Sequence, residues 1–169
     1  MVVEDPNGKK DAFITGLVND YQAALLKTCF LYLRDEELAR DAVQETFLKA
    51  YRACDAFRGE CSVKSWLIRI AVNTCRDMRR GAWFRHVDRR VTPDTLPEPA
   101  APIAERDEAL TLAVMRLPDK LREAVLLYYY QRLSSAEAAM ALGISQPSLS
   151  GRLRRARERL KTELGEGRI

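Results

Sequence analysis

Apolar residues recur at helical spacing along the first third of the chain. Between positions 11 and 34 they fall four residues apart: Phe13, Leu17, Tyr21, Leu25, Cys29 and Leu33. A second set recurs at i, i+4, i+7, i+8 and i+11: Val43, Phe47, Ala50, Tyr51 and Cys54. This spacing places side chains on one face of a helix, so it predicts amphipathic helices over 11–34 and about 36–53. Asp35 and Glu36 would begin the second helix, because acidic residues are favourable at a helix N-terminus.

A short loop, residues 57–60 (FRGE), separates the second helix from a third. After the loop an apolar stripe returns, made of Trp66, Leu67, Ile70, Ala71 and Thr74. The opposite side of this stretch carries Arg69, Asn73, Arg76, Asp77 and Arg80. The pattern therefore predicts a third amphipathic helix that becomes basic toward its end, with Trp66 in the core.

The helical pattern stops between residues 81 and 105. Four prolines, Pro93, Pro97, Pro99 and Pro102, exclude regular helix and strand and favour an extended connector. The connector is longer than ordinary loops inside a compact domain, which indicates a domain boundary. The sequence therefore predicts an all-α protein of two small helical domains, 1–80 and 106–169, joined by a Pro-rich linker.

The second predicted domain ends in a helix-turn-helix pattern. Residues 107–116 form a short helix, Pro118 lies in the first turn of the next, and the apolar second half of 121–133 is expected to be largely buried. Ser134 or Ser135 would cap the following helix, and Gly143 would make the sharp turn after it. Ser145 would cap the last helix, with Pro147 in its first turn. A helix, a short Gly-containing turn and a second helix are typical of duplex DNA binding.

Charge is distributed unevenly along the chain. The net charge is +4, yet residues 1–60 hold 8 Lys and Arg against 11 Asp and Glu, which leaves the remainder at +7. Six cations face outward within ten residues of the last helix: Arg152, Arg154, Arg155, Arg157, Arg159 and Lys161. Such a face suits a polyanion, although basic residues near a helix C-terminus also favour the helix dipole.

Composition excludes several other functions. No apolar run approaches the ~20 residues that span a bilayer, and residues 1–10 lack a secretory signal pattern, so we expect a cytoplasmic protein without membrane insertion. The cysteines, Cys29, Cys54, Cys61 and Cys75, form no CxxC pair, and His86 is remote. We expect reduced core thiols, with Cys61 the most exposed, and no metal, cofactor or catalytic residues.

One stretch carries a family resemblance. Residues 43–77, VQETFLKAYRACDAFRGECSVKSWLIRIAVNTCRD, resemble conserved region 2 of bacterial extracytoplasmic-function (ECF, group IV) sigma factors. The resemblance implies that the second helix docks on the clamp helices of the largest subunit of core RNA polymerase. The residues expected to bind the polymerase are Asp41, Gln44, Glu45, Leu48, Lys49 and Arg52. Periodicity alone is equally consistent with an ordinary solvated face.

The same resemblance assigns the loop and the third helix to the −10 promoter element. The expected contacts are Phe57, Arg58, Gly59, Arg69, Asn73, Arg76, Asp77 and Arg80. Phe57 and Arg58 could hold an unstacked base, Asn73 could read a base edge, and the arginines could bind phosphates. Alternatively, Phe57 only fixes the loop to the core. The tryptophan pair of housekeeping sigma factors is incomplete, because Leu67 follows Trp66.

The segments LPDKLREAVLLYYY and LGISQPSLSGRLRRARERLK resemble ECF region 4, which binds the −35 element as duplex. The expected contacts are Gln146, Ser148, Ser150, Arg152, Arg154, Arg155 and Arg157. One departure is Ser150-Gly151 before Arg152, where the family commonly has a basic residue and then Ser. The loss of a long cation there could change the preferred −35 sequence, and Gly151 weakens the helix.

The two resemblances imply a dissociable transcription initiation subunit that recognises a melted −10 strand and a −35 duplex. Its expected partners are core RNA polymerase (clamp helices and flap), promoter DNA and an anti-sigma factor. One alternative is a helix-turn-helix regulator that binds a palindrome as a dimer. Another is an interaction protein whose basic helix binds RNA or a partner, although no RNA-binding signature with stacking aromatics is present.

Overall fold

The computed structural model describes residues 6–81 and 105–165, which contain seven α-helices and no strand. The first half of the protein, residues 6–81, holds α1 (Pro6–Leu33), α2 (Glu36–Ala53) and α3 (Val63–Arg80). The second half, residues 105–165, holds α4 (Glu105–Arg116), α5 (Asp119–Val125), α6 (Ser135–Leu142) and α7 (Gln146–Leu164). The all-α prediction is confirmed. The limits of the predicted linker stay a prediction, because residues 82–104 lie outside the described residues.

Side-chain caps begin most of the helices where the sequence indicates. Asp35 caps α2 by accepting a hydrogen bond from the backbone N–H of Leu38 at 2.7 Å. Ser145 caps α7 in the same way. Ser134 rather than Ser135 caps α6, and Glu137 completes a capping box by accepting from the backbone N–H of Ser134 at 2.9 Å. Each cap satisfies backbone donors that a helix end would otherwise leave unpaired.

Two details of the second half differ from prediction. Pro118 precedes α5 instead of lying in its first turn, and its carbonyl accepts from the backbone N–H groups of Leu121 and Arg122. A π turn, Leu126–Tyr130, follows α5, so the apolar stretch is not buried all round. Its two leucines are buried, whereas Tyr129 is 46% exposed. Tyr128 and Tyr130 are half-buried and pack against the core, so Tyr129 is the tyrosine of the turn that faces outward.

The first half is a three-helix unit in which α1 packs against α2 and α3. Phe13, predicted on the inward stripe, is 36% exposed. The first turns of α1 contact the end of α2 through a polar residue instead, since Lys10 donates to the carboxylate of Asp55 at 2.8 Å and lies 4.6 Å from the ring centre of Tyr51. All four cysteines are free; Cys29 and Cys75 are buried, while Cys54 is half-buried like Cys61.

The two halves pack against each other. Within the second half, α7 packs on α4, α5 and α6. At the junction, the surface where the two halves meet, α6 packs against α3, and α4 and α5 contact α1. Four consecutive residues at the end of α1, Phe30 to Leu33, are all buried, because the second half covers the side that the first half leaves open. The buried residues of both halves form one continuous cluster. No helix in the described ranges has the length and apolar character that crossing a membrane requires.

Candidate polymerase and nucleic-acid interfaces

The outer face of α2 combines exposed polar residues with one exposed leucine. Four of the six predicted polymerase contacts are exposed: Asp41, Gln44, Leu48 and Arg52. The other two, Glu45 and Lys49, are half-buried. Leu48 is 52% exposed, which leaves apolar surface available at the centre of the face. Lys49 donates to the hydroxyl of Thr74 at 3.2 Å and lies 3.7 Å from the carboxylate of Asp77. This face of α2 therefore adjoins the outer face of α3.

In the loop before α3, the polar residues are exposed to solvent and the aromatic residue is partly buried. The rings of Phe57 and Trp66 lie 4.9 Å apart, and Trp66 is 5% exposed, which confirms its predicted core position. Phe57 is half-buried, so the structure shows the contact that fixes the loop to the core. Arg58 and Gly59 are exposed, and Gly59 has φ +74°, a conformation that favours glycine. The exposed part of the loop thus lies beside the N-terminus of α3.

Four of the predicted −10 residues on α3 share an exposed face: Arg69, Asn73, Asp77 and Arg80. Arg76 differs, because its guanidinium contacts Glu123 of the second half. Its Nε donates to Oε1 at 3.0 Å and its Nη2 donates to Oε2 at 2.8 Å. The hydrogen bonds to Glu123 raise the pKa of Arg76. In this conformation the guanidinium of Arg76 binds the second half and does not point into solvent.

The predicted −35 residues lie on α7, and six of them are exposed: Gln146, Ser148, Ser150, Arg154, Arg155 and Arg157. The prediction that Arg152 lies on the outward face is wrong. Its side chain is 16% exposed, and its Nη1 lies 3.9 Å from Oε2 of Glu123. Arg152 is three residues after the buried Leu149 and next to the buried Leu153, so it flanks the inward stripe.

Glu123 is a contact residue between the two halves that the sequence did not reveal. It is 4% exposed and accepts hydrogen bonds from Arg76 and from the hydroxyl of Tyr32, both in the first half. Burial acts to raise the pKa of Glu123, but the hydrogen bonds from Arg76 and Tyr32 outweigh burial and hold the pKa below its ordinary value. Burial and the same contact raise the pKa of the Tyr32 hydroxyl. The carboxylate is therefore charged and shared between the halves.

Two further contacts cross the junction beside α6. Oε1 of Glu137 accepts from the hydroxyls of Ser62 at 3.0 Å and Ser65 at 2.8 Å. The backbone N–H of Ser134 and these hydroxyls lower the pKa of Glu137 to about 2. Gln131 of the second half donates to the carbonyl of Ala24 at 3.1 Å and to Thr28. One sequence signal of this junction was available: a helix end that is apolar on all sides, as in residues 30–33, needs a second partner.

Comparison with known proteins identifies both halves. Residues 17–85 match the family Sigma-70 region 2, and residues 107–160 match Sigma-70, region 4. The ECF RNA polymerase sigma factor SigM of Mycobacterium tuberculosis is 37% identical over 138 residues, covering 78% of this chain and 67% of that protein. The RNA polymerase sigma-H factor of Pseudomonas aeruginosa is 31% identical over 171 residues, covering 93% of this chain and 88% of its own.

Two solved structures share the fold of both halves. The sigma factor RpoE of Bartonella quintana, in complex with the anti-sigma factor NepR, matches with a TM-score of 0.74 and 25% identity, over 90% of this chain and 96% of that one. CnrH, in complex with the cytosolic domain of CnrY, matches with a TM-score of 0.69 and 29% identity, over 89% and 86%. The chain belongs to the ECF sigma factors, and it is a transcription initiation factor that directs RNA polymerase to promoters.

Proposed function

We propose that this sigma factor works in the cytoplasm, docks on core RNA polymerase through α2, reads a melted −10 strand with the loop at 57–59 and α3, and reads a −35 duplex with α7. The observation that carries the proposal is the outward face of α7. It combines exposed Gln146 and Ser150 near the helix N-terminus with exposed Arg154, Arg155 and Arg157 further along. In a helix-turn-helix the first positions meet base edges and the later cations meet phosphates.

The docking step uses the exposed leucine of α2. Leu48 is flanked one turn away by Gln44 and Arg52, both exposed, so an apolar contact is surrounded by hydrogen-bonding groups. Interfaces of this kind gain free energy from the buried apolar side chain and orientation from the polar rim. The clamp helices of the polymerase are the proposed partner, and the flap is the proposed partner of the second half.

The −10 step uses the exposed side of the loop and α3. Arg58 and Gly59 lie where a strand could pass close to the backbone, and Asn73 and Arg69 lie one turn apart on the exposed face of α3. An amide offers a donor and an acceptor to an unstacked base, and a guanidinium binds phosphate. Lys49 lies 3.7 Å from Asp77, so the −10 face continues into the polymerase face without a gap.

We also propose an anti-sigma partner. RpoE of Bartonella quintana was solved in complex with the anti-sigma factor NepR, and CnrH was solved in complex with the cytosolic domain of CnrY. Both matches extend over about nine-tenths of this chain. A match of that length includes both halves, so their arrangement here is similar to one in which a sigma factor is held by another protein.

The test is in vitro transcription from a pool of random promoters, with bacterial core polymerase present or absent. We expect transcripts only when protein and core are combined, and we expect their templates to share two spaced upstream motifs. Arg155→Ala should reduce transcription by about tenfold, the effect of losing 1–2 kcal/mol of phosphate or base contact. Arg116→Ala, which removes an equally charged residue from exposed surface of the second half, is the matched control. Binding of a palindromic duplex by the protein alone, without any effect of core, would instead support a helix-turn-helix regulator.

A further inference from the structure

We propose that the junction contains a binding site for a small anion with two adjacent phosphate groups, either inorganic pyrophosphate or the diphosphate group of a nucleotide. The site is a cavity of about 330 Å³ that is lined by residues of α1, α3, α5 and α7. The hydroxyl of Tyr32 lies in its wall and donates to Glu123. The ligand is neither promoter DNA nor polymerase, so the site goes beyond the proposed function.

The cavity is strongly basic. Five cations from three helices line it: Arg76, Arg79 and Arg80 of α3, Lys120 of α5 and Arg152 of α7. Among the described residues that line it, only Asp119 and Glu123 are acidic, which leaves a net charge of +3. A larger groove of the second half, about 540 Å³, has three arginines and two glutamates and so a net charge of +1. Positive charge is therefore concentrated at the junction cavity, and a concave basic surface raises the local concentration of anions.

Three of these cations have hydrogen-bond donors to spare. Arg80 and Lys120 are exposed, and neither forms an ion pair with another residue in the part of the chain that the structure describes. Arg152 lies 3.9 Å from Glu123, which is too far for a hydrogen bond. Basic residues at the end of α3 also favour the helix dipole, but Lys120 lies at the start of α5, where the dipole disfavours a cation. An anion bound between these three side chains would give each of them a partner.

The two carboxylates of the cavity already bind other arginines. Glu123 accepts two hydrogen bonds from Arg76. Asp119 accepts one at 2.7 Å from Arg122, which is 1% exposed and whose Nε has no hydrogen-bond partner among the described residues. Burial, followed by the nearby charge of Arg34, lowers the pKa of Arg122 to about 10. The positive charge beside the cavity is therefore not fully compensated, and an added anion would stabilise it.

Charge and size define the class of ligand. Guanidinium groups bind phosphate oxygens through paired hydrogen bonds, and an ammonium group binds them as a point charge. One phosphate monoester carries roughly −1.5 to −2 near pH 7, so two adjacent phosphates are needed to balance a net charge of +3. A volume of about 330 Å³ is at the lower end of the range for small-molecule sites, which suits a diphosphate. Consecutive phosphates of a nucleic acid are separated by a sugar, so a diphosphate differs chemically from the DNA backbone.

The test measures the binding of inorganic pyrophosphate to the full-length protein by isothermal titration calorimetry, at low salt and without divalent cations. Lys120→Gln and Arg80→Gln each remove an exposed cation that lines the cavity. Lys161→Gln is the matched control, because it removes an exposed ammonium group of α7 outside the cavity. Orthophosphate tests the need for two phosphates, and ADP tests whether a nucleotide can supply them. Circular dichroism verifies that each variant is folded.

We expect the wild type to bind pyrophosphate about tenfold more tightly than orthophosphate, and Lys120→Gln and Arg80→Gln each to raise the Kd for pyrophosphate about tenfold. Lys161→Gln should leave that Kd within about twofold. ADP that binds more tightly than pyrophosphate identifies a nucleotide as the source of the diphosphate, and ADP that binds more weakly identifies the inorganic ion; either order supports the site. A wild type that does not bind pyrophosphate would overturn the proposal, as would orthophosphate binding of equal strength. Equal weakening by Lys120→Gln and Lys161→Gln would also overturn it, since the anion would then be attracted to the basic surface in general.

Discussion

Two glycines of the helix-turn-helix have opposite backbone requirements. Gly143 ends α6 with φ +67°, in the left-handed region that other residues enter at a cost. Gly151 lies inside α7 with helical geometry, and a Cβ added there would meet nothing within 4 Å. Gly151 therefore contributes neither a turn nor a close approach, and the helix is weaker for it.

Gly151→Ala should stabilise the protein and Gly143→Ala should destabilise it. The first change raises helix propensity by about 1 kcal/mol, and the second forces a side chain into the left-handed region at roughly the same cost. For a chain of this length the expected changes in Tm are about 2–4 °C in opposite directions. Thermal unfolding followed by circular dichroism measures both. A Gly151→Ala protein with a lower Tm would show that the position has a constraint other than helix propensity.

Glu137 acts at two levels, since its carboxylate caps α6 and also binds α3. Its pKa is about 2 in the folded protein, against an ordinary value of 4.5. A carboxyl group whose pKa is lower in the folded state stabilises the fold above its unfolded pKa, and it loses that contribution as the pH falls toward the folded pKa. The stabilising contribution of Glu137 is therefore present above about pH 4.5 and disappears toward pH 2.

Glu137→Gln should lower Tm at pH 6 by several degrees and lower it much less near pH 2, because the wild-type carboxyl group loses its charge as the pH falls to its folded pKa. The measured quantity is the difference in Tm between wild type and variant along a pH series. Glu158→Gln is the control, since it removes an exposed carboxylate 3.9 Å from Arg154 and should change Tm little. A difference that grows as the pH falls would contradict the assigned direction.

At the level of elements, α2 separates a core face from the proposed docking face. The core side is made of small and apolar residues that are fully buried, among them Ala39, Ala42 and Ala50, which allow close contact with the neighbouring helices. The opposite side carries Leu48 between exposed polar residues. An exposed leucine of this kind is tolerated in the free protein and becomes useful when a partner buries it.

Gln44→Ala combined with Leu48→Ala should weaken binding to core polymerase at least tenfold, since burying a leucine contributes about 1.5–3 kcal/mol. Competition with a labelled sigma factor for core measures the change. The matched control is Glu37→Ala with Arg40→Ala, two exposed positions in the first turns of the same helix. Equal competition by both double variants would show that the polymerase uses another face.

The elements themselves were largely predictable from the sequence, because their signals are local. Asp35, Gly143 and Ser145 act within three or four residues of their own positions, and each marks the helix end that the structure contains. Predictions failed where a segment distant in the sequence determines whether a side chain is buried or exposed. Arg152 has the charge of a DNA-binding residue, yet its orientation depends on Glu123. The burial of Tyr32 depends on a helix more than ninety positions away, since its hydroxyl bonds to a residue 91 positions later.

At the scale of the whole molecule, the sequence predicts the fold of each half separately. It does not predict that the two halves contact each other. Gln131 and Thr28 are 103 positions apart and Arg76 and Glu123 are 47 apart, so no periodicity connects them. Each half buries apolar residues of its own, and the polar groups at the junction satisfy one another only in the closed arrangement. The junction combines these polar contacts with apolar ones, since Phe30 to Leu33 are buried and the buried residues of both halves form one continuous cluster.

A polyanion that competes with Glu123 for Arg76 and Arg152 should open the molecule, and Tyr32 provides the probe. Tyr32 is 4% exposed because the second half covers it, whereas Phe47 is 9% exposed and lies on the core side of α2. Hydroxyl-radical footprinting of the free protein should show oxidation of Tyr32 increasing several-fold as duplex DNA is added at low salt, while oxidation of Phe47 stays constant. A neutral polymer at the same mass concentration should change neither. If Tyr32 stays protected when the duplex is saturating, DNA binds the closed molecule, and the arginines at Glu123 are not required for it.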